Sequence, residues 1–152
     1  MLIGIIANIT KENVFEVVHS FLIRLKKNKI DYILTKSLSE DKDKIKIELF
    51  DDFVTDDKEV YEKADLIISI GGDGTMLATA FNAQFYNKPV LGVNMGKLGF
   101  LVEANIDQMD KIITELKEGK YSIEERMVIS GEALGHKTEK LYAINDIVID
   151  KG

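Results

Sequence analysis

Between residues 65 and 75 the chain reads DLIISIGGDGT, an apolar run that passes without a spacer into three glycines grouped around one aspartate. So short and continuous an apolar run suits a strand covered on both faces, as the strands of parallel sheets are. After it, Met76, Leu77, Ala80, Phe81 and Phe85 recur at helical spacing, and the pattern predicts a helix that carries them inward. A buried strand, a glycine turn and a helix in direct succession make half of a βαβ unit. That requirement points to a mostly parallel sheet wrapped by helices.

The flanking sequence fits the same plan. Leu2 to Ala7 is a second apolar run and reads as a first strand. Thr10 is a candidate N-cap for a helix whose stripe is Val14, Val17, Val18, Phe21, Leu22 and Leu25. Arg24, Lys26, Lys27 and Lys29 close that helix and read as a solvated end suited to the macrodipole. Asp31 to Thr35 is a short strand, and residues 36–63 are charged and weakly patterned, as a surface loop with short elements would be. Asp51, Asp52, Asp56 and Asp57 could attract a cation but read first as solvated loop. Pro89, the one proline, opens the strand PVLGV. Ile106, Met109, Ile112, Ile113 and Leu116 form a further helical stripe, with Gly119 placed as its C-cap. Beyond residue 120 the helical stripes stop, and Tyr121 to Ser130 and Leu141 to Asp150 read as strands. The expected organisation is a doubly wound α/β domain over 1–120, then the first strands of an incomplete all-β domain over 121–152.

Composition removes several classes of function. The formal net charge is -6, which argues against nucleic acid or an anionic membrane as principal partner. There is no cysteine, so thiolate catalysis, disulfides and cysteine-bound zinc are excluded. The two histidines, His19 and His136, stand far apart and do not suggest a metal site. MLIGIIANIT lacks a basic region and a cleavage site, and no apolar run approaches the roughly 20 residues that span a bilayer. A cytoplasmic location is expected.

Six of the eleven glycines lie between positions 71 and 99, which concentrates the chemistry there. In Gly71-Gly72-Asp73-Gly74-Thr75 the glycines permit a tight turn and close approach of backbone to a ligand. The helix start supplies unpaired N–H groups and the positive end of a dipole. Asp73 would repel a phosphate held there. It makes sense if a carboxylate must take a proton, or hold a magnesium ion, beside that phosphate. The plainer alternative is a capping aspartate in a tight turn, for which three glycines are more than is needed. A branched side chain at Gly74 is expected to block the ligand and to strain any positive φ. Two familiar phosphate motifs fail: Leu77 stands where G-x-G-x-x-G needs glycine, and Gly92 to Lys97 is one residue short of a Walker A loop, with Leu98 in place of Ser or Thr.

GGDGT is shared by NAD kinases and by diacylglycerol and sphingosine kinases, with a variant in 6-phosphofructokinases. PVLGVNMGKLGFL at 89–101, YSIEERMVISG at 121–131 and AINDIVIDKG at 143–152 narrow the resemblance to the NAD kinase family, from about residue 64 onward and more loosely before it. The resemblance implies phosphorylation of the adenosine ribose 2′-hydroxyl of NAD by ATP, or by polyphosphate, with Mg2+ or another divalent cation. It makes Asp73 the carboxylate that activates the hydroxyl, with Gly71, Gly72, Gly74 and Thr75 around the nucleotides. It places Phe100 against the adenine, where the alternative is a core aromatic. Asn145 and Asp146 match the pair that holds NAD; they interrupt the apolar run Ala143 to Ile149, and buried polar groups need partners. The resemblance further implies a homo-oligomer, dimer or tetramer. It also implies about a hundred more residues that complete the NAD site, so that residues 1–152 alone are expected to be inactive. The rival readings are a lipid or sugar kinase sharing GGDGT, separable by the acceptor used, and a non-enzymatic α/β module that binds a nucleotide or partner chain.

Overall fold

The computed structural model describes residues 1–40, 56–96, 99–102, 104–132 and 140–150. Asp51, Asp52 and His136 lie outside them. The described chain forms two compact units, Met1–Tyr121 and Ser122–Gly152.

In the first unit, strands β1 (Leu2–Ala7), β2 (Asp31–Leu34), β3 (Leu66–Gly71), β4 (Val90–Asn94) and β5 (Ala104–Asn105) form one sheet in the order β2-β1-β3-β4-β5. Every pairing is parallel, with Ile3 opposite Leu66 and Ile67 opposite Val90. The helices are α1 (Val14–Lys27), α2 (Lys36–Glu40), α3 (Lys58–Lys63), α4 (Asp73–Ala83) and α5 (Met109–Glu118).

Alternation along the strands divides the core in two. Ile3 and Ile5 of β1 and Leu66, Ile68 and Ile70 of β3 share one cluster with Phe21, Leu22 and Leu25 of α1 and Ile112, Ile113 and Leu116 of α5. Ile67 joins the other cluster, with Val60 and Tyr61 of α3, Ala64, and Ala83 of α4. Helices therefore cover both faces, and the doubly wound α/β fold read from the apolar runs is the fold observed. Ser69 lies in the middle of β3, and its hydroxyl meets that of Thr79 on α4 at 3.0 Å. That bond satisfies two buried polar groups in one contact.

Local expectations hold where a stripe is long and fail at some ends and on one helix. Thr10 is not the cap of α1: its amide and hydroxyl both donate to Asn8 Oδ1, at 3.1 and 2.7 Å, and Asn13 occupies the cap position with φ 60°. Of Met76, Leu77, Ala80, Phe81 and Phe85, expected to point inward, Met76 does so, its Sδ lying against Gly92 of β4, Leu77 and Ala80 are half-buried, and Phe81 and Phe85 are exposed. Thr79 and Ala83 are the buried residues of α4, and Phe81 and Phe85 pair edge to face on the exposed side. Small residues otherwise face the sheet because α4 packs closely on β3. Gly119 ends α5 as expected, with φ 66°. Asp56 and Asp57 accept the backbone N–H groups of Lys58 and Lys36, a structural task.

The second unit holds a small antiparallel sheet, β6 (Ile129–Gly131) paired with β7 (Leu141–Ala143). The strands expected over 121–130 and 141–150 are thus three residues each.

Candidate active site

Strand order locates the site. From β1 the chain winds through α1 to β2 on one side, then returns across the sheet to β3 on the other. In such sheets the carboxyl ends of the two strands at the reversal diverge and leave a crevice. Those ends are Ala7-Asn8 and Gly71-Gly72, tied together by the Asn8 N–H donating to the Ile70 carbonyl at 3.0 Å.

β3 passes into α4 through glycines. A Cβ at Gly71 would come within 2.6 Å of the Thr75 Cβ, so only glycine lets the first turn of α4 fold back over the strand end. Gly72 is extended, at φ -137°, and its carbonyl accepts the Met76 N–H at 2.9 Å, the first bond of α4. At both Gly72 and Gly74 a Cβ would meet nothing within 4 Å. The glycine turn presents bare backbone to open space beside the positive end of a helix, which favours an anion. Gly74 does not have a positive φ, so the strain expected of a branched residue there does not arise; any penalty would come from blocked access.

Asp73 opens α4, but its carboxylate is engaged far along the chain. Oδ2 accepts the Phe100 N–H at 2.8 Å and Oδ1 accepts the Leu101 N–H at 3.1 Å. A Cβ on Gly99 would fall on the carboxylate itself. The capping alternative therefore fails: Asp73 is held by the segment after β4. Each oxygen keeps capacity for a further hydrogen bond.

The loop after β4 is fixed at its base. The Met95 N–H donates to the Gly71 carbonyl at 3.0 Å, and the Gly96 N–H to Oδ1 of buried Asn94 at 2.9 Å. Phe100 is fully exposed, so the core-aromatic alternative is excluded. Asn8, just beyond β1, and Asn94, at the end of β4, fix backbone on either side of Gly71 and are not among the residues the sequence singles out. Their signal was an asparagine closing an otherwise apolar strand run.

Gly71, Gly72, Asp73, Gly74, Thr75 and the Phe100 amide come together in the first unit. Asn145 and Asp146 belong to the second, where Asn145 Nδ2 donates to Asp146 Oδ1 at 2.7 Å. Both are exposed and lie past the end of β7, so they are not the buried pair in an apolar strand that the run 143–149 suggested. Among the described residues no group of three acidic or histidine side chains could hold a metal ion.

Residues 3–121 match the family model of the ATP-NAD kinase N-terminal domain. The chain belongs to the NAD kinase family. It is 35% identical over 151 residues to the NAD kinase of Clostridium perfringens, covering 99% of this chain and 50% of that protein. To the NAD kinase of Natranaerobius thermophilus it is 37% identical over 152 residues, covering 99% and 51%. The chain therefore spans about half the length of these relatives. Yeast NADH kinase, solved in complex with NADH, superposes with a TM-score of 0.77 over 95% of this chain and 47% of that one, at 17% identity, a likeness of fold. The range matched to the family model nearly coincides with the first compact unit, so the glycine turn and the Asp73 contacts lie within the part matched to the ATP-NAD kinase N-terminal domain.

Proposed function

We propose that this chain forms the ATP-side domain of an NAD kinase, in which Asp73 accepts the proton of the adenosine ribose 2′-hydroxyl of NAD. The hydroxyl oxygen bonds to the terminal phosphorus of ATP as the bond to the ADP oxygen breaks, giving NADP. One observation carries this reading. A carboxylate stands at the crevice of a doubly wound sheet, oriented by two backbone amides, beside bare glycine backbone and a helix start.

Each residue's role follows from its position. The amides around Gly72 to Thr75 offset phosphate charge, which in such transfers is most of what a protein contributes. The exposed ring of Phe100 offers a face for adenine, and base–aromatic stacking is worth about 1–3 kcal/mol. By the same reading Asn145 and Asp146 are assigned hydrogen bonds to NAD. Among the described residues no group of side chains forms a metal cage, and a magnesium or other divalent cation would enter on the ATP phosphates.

The same proposal takes the enzyme to work as a homo-oligomer, dimer or tetramer, in the cytoplasm. No helix among the described residues is long and apolar enough to cross a membrane. The test is NADP formation from NAD with ATP, and in parallel with polyphosphate, by a protein carrying this segment together with a carboxy-terminal half like that of its relatives. Phosphorylation of diacylglycerol, sphingosine or a sugar in preference to NAD would overturn the proposal.

A further inference from the structure

The segment after β4 has a second task that is independent of its side chains. We propose that residues 99–101 form a backbone clamp that orients Asp73, with Gly99 as the positioning residue on which the clamp depends. The proposal rests on the reading of Asp73 as the base.

The terminal torsion of an aspartate is broad, so a carboxylate anchored only through its own chain sweeps its oxygens through a wide arc. Here each oxygen has its own donor, Phe100 N–H for Oδ2 and Leu101 N–H for Oδ1. Two donors on two oxygens fix the carboxylate plane and leave the unused lone pairs facing away from the loop. The donors are consecutive peptide groups, and the residue before them is glycine, whose Cα lies where a Cβ would overlap the carboxylate. Any other residue at 99 pushes the loop and the carboxylate apart and breaks both bonds together.

The division of labour at Phe100 follows. Its amide points to Asp73 while its ring is fully exposed, so one residue presents a face to a ligand and holds the group that acts on it. Small displacements of reacting groups cost on the order of 10²-fold in rate per Å. A clamp that fails therefore lowers turnover without removing any side chain that touches substrate.

Two measurements test this. In the 152-residue chain, hydrogen exchange of the Phe100 and Leu101 amides is followed by NMR. Both are expected to be protected in the parent and in Phe100→Ala. Both should lose protection in Asp73→Ala and in Gly99→Ala while the amides of β1 and β3 stay protected. Unprotected amides in the parent, or protection kept in Gly99→Ala, overturn the clamp whatever the enzyme does. In the NADP-forming protein, Gly99→Ala is expected to lower kcat on the order of 10²-fold with KM for NAD near the parent value. A rise in KM with kcat intact would overturn the positioning role. If the amides behave as expected but Asp73→Asn keeps its turnover, the clamp stands and the base assignment falls.

Discussion

At the scale of single residues the experiments separate chemistry from scaffolding. Asp73→Asn should lower NADP turnover by roughly 10²–10⁴-fold, the range for loss of a general base, with NAD binding weakened much less. Steady-state kinetics beside a binding titration would decide it, and near-parental turnover would remove Asp73 from the role. Gly74 gives the opposite contrast. A Cβ there meets no protein atom and the backbone is unstrained, so Gly74→Ala should fold with stability unchanged or raised by up to about 1 kcal/mol. Its NAD affinity should nonetheless fall on the order of tenfold, about 1.4 kcal/mol, because the added methyl intrudes on the ligand. Tyr61 tests the core. Burial, and more weakly the neighbouring charges of Asp57 and Tyr86, raise its pKa above 10.0, against a lowering hydrogen bond with Asn82. A raised folded-state pKa contributes stability that is whole below about pH 10 and is lost as pH climbs toward the folded value, where only the unfolded chain has ionised. Tyr61→Phe should flatten that alkaline fall in a urea series at stepped pH. Asp73 stands out in the sequence because a carboxylate in a phosphate-type turn is conspicuous. Its partners do not, since main-chain amides 27 and 28 positions away leave no trace in side-chain identity.

Elements were legible in proportion to the length of their apolar pattern. β1 and β3 stand out because strands buried on both faces must be apolar throughout, and α1 and α5 because their stripes run over three turns or nearly so. α4 departs from expectation at Phe81 and Phe85, while Met76 does turn to the sheet. Its large residues suggested an inward face, yet contact with β3 is made by Thr79 and Ala83, and the hydroxyl pair of Ser69 and Thr79 decides which side turns in. Periodicity cannot rank a threonine above a phenylalanine. Only the geometry of close packing does. The cap of α1 failed for a related reason: Thr10 found a nearer acceptor in Asn8, and Asn13 supplied the left-handed turn. Where a cap was foreseen and found, its cost can be measured. Gly119→Ala places a Cβ at φ 66° and should destabilise the first unit by about 1 kcal/mol, read from the urea midpoint at constant slope.

The whole molecule joins a well-packed layered unit to one with little core. Among the described residues of 122–150, Ile123, Met127, Val128, Ile129, Leu141, Tyr142, Val148 and Ile149 are all exposed, and the one strand pair has three residues per strand. Two such strands do not hold themselves together in water. The 152-residue chain is therefore expected to self-associate through this unit and to form no measurable NADP. A chain cut after Tyr121 should stay monomeric and unfold in one transition, as sedimentation and a denaturant titration would report. Robust NADP formation by the 152 residues alone would overturn the expectation that they form none. Parallel pairing also sets a timetable. Ile3 must lie beside Leu66, so β1, made first, waits for a neighbour 63 residues later. At ribosomal rates of about 5–20 residues per second that wait is roughly 3–13 s. Throughout it, the most apolar strand of the amino-terminal third has only β2 beside it. A cell making this protein must shelter that half-built sheet, and slowing translation between positions 35 and 66 would lengthen the hazard.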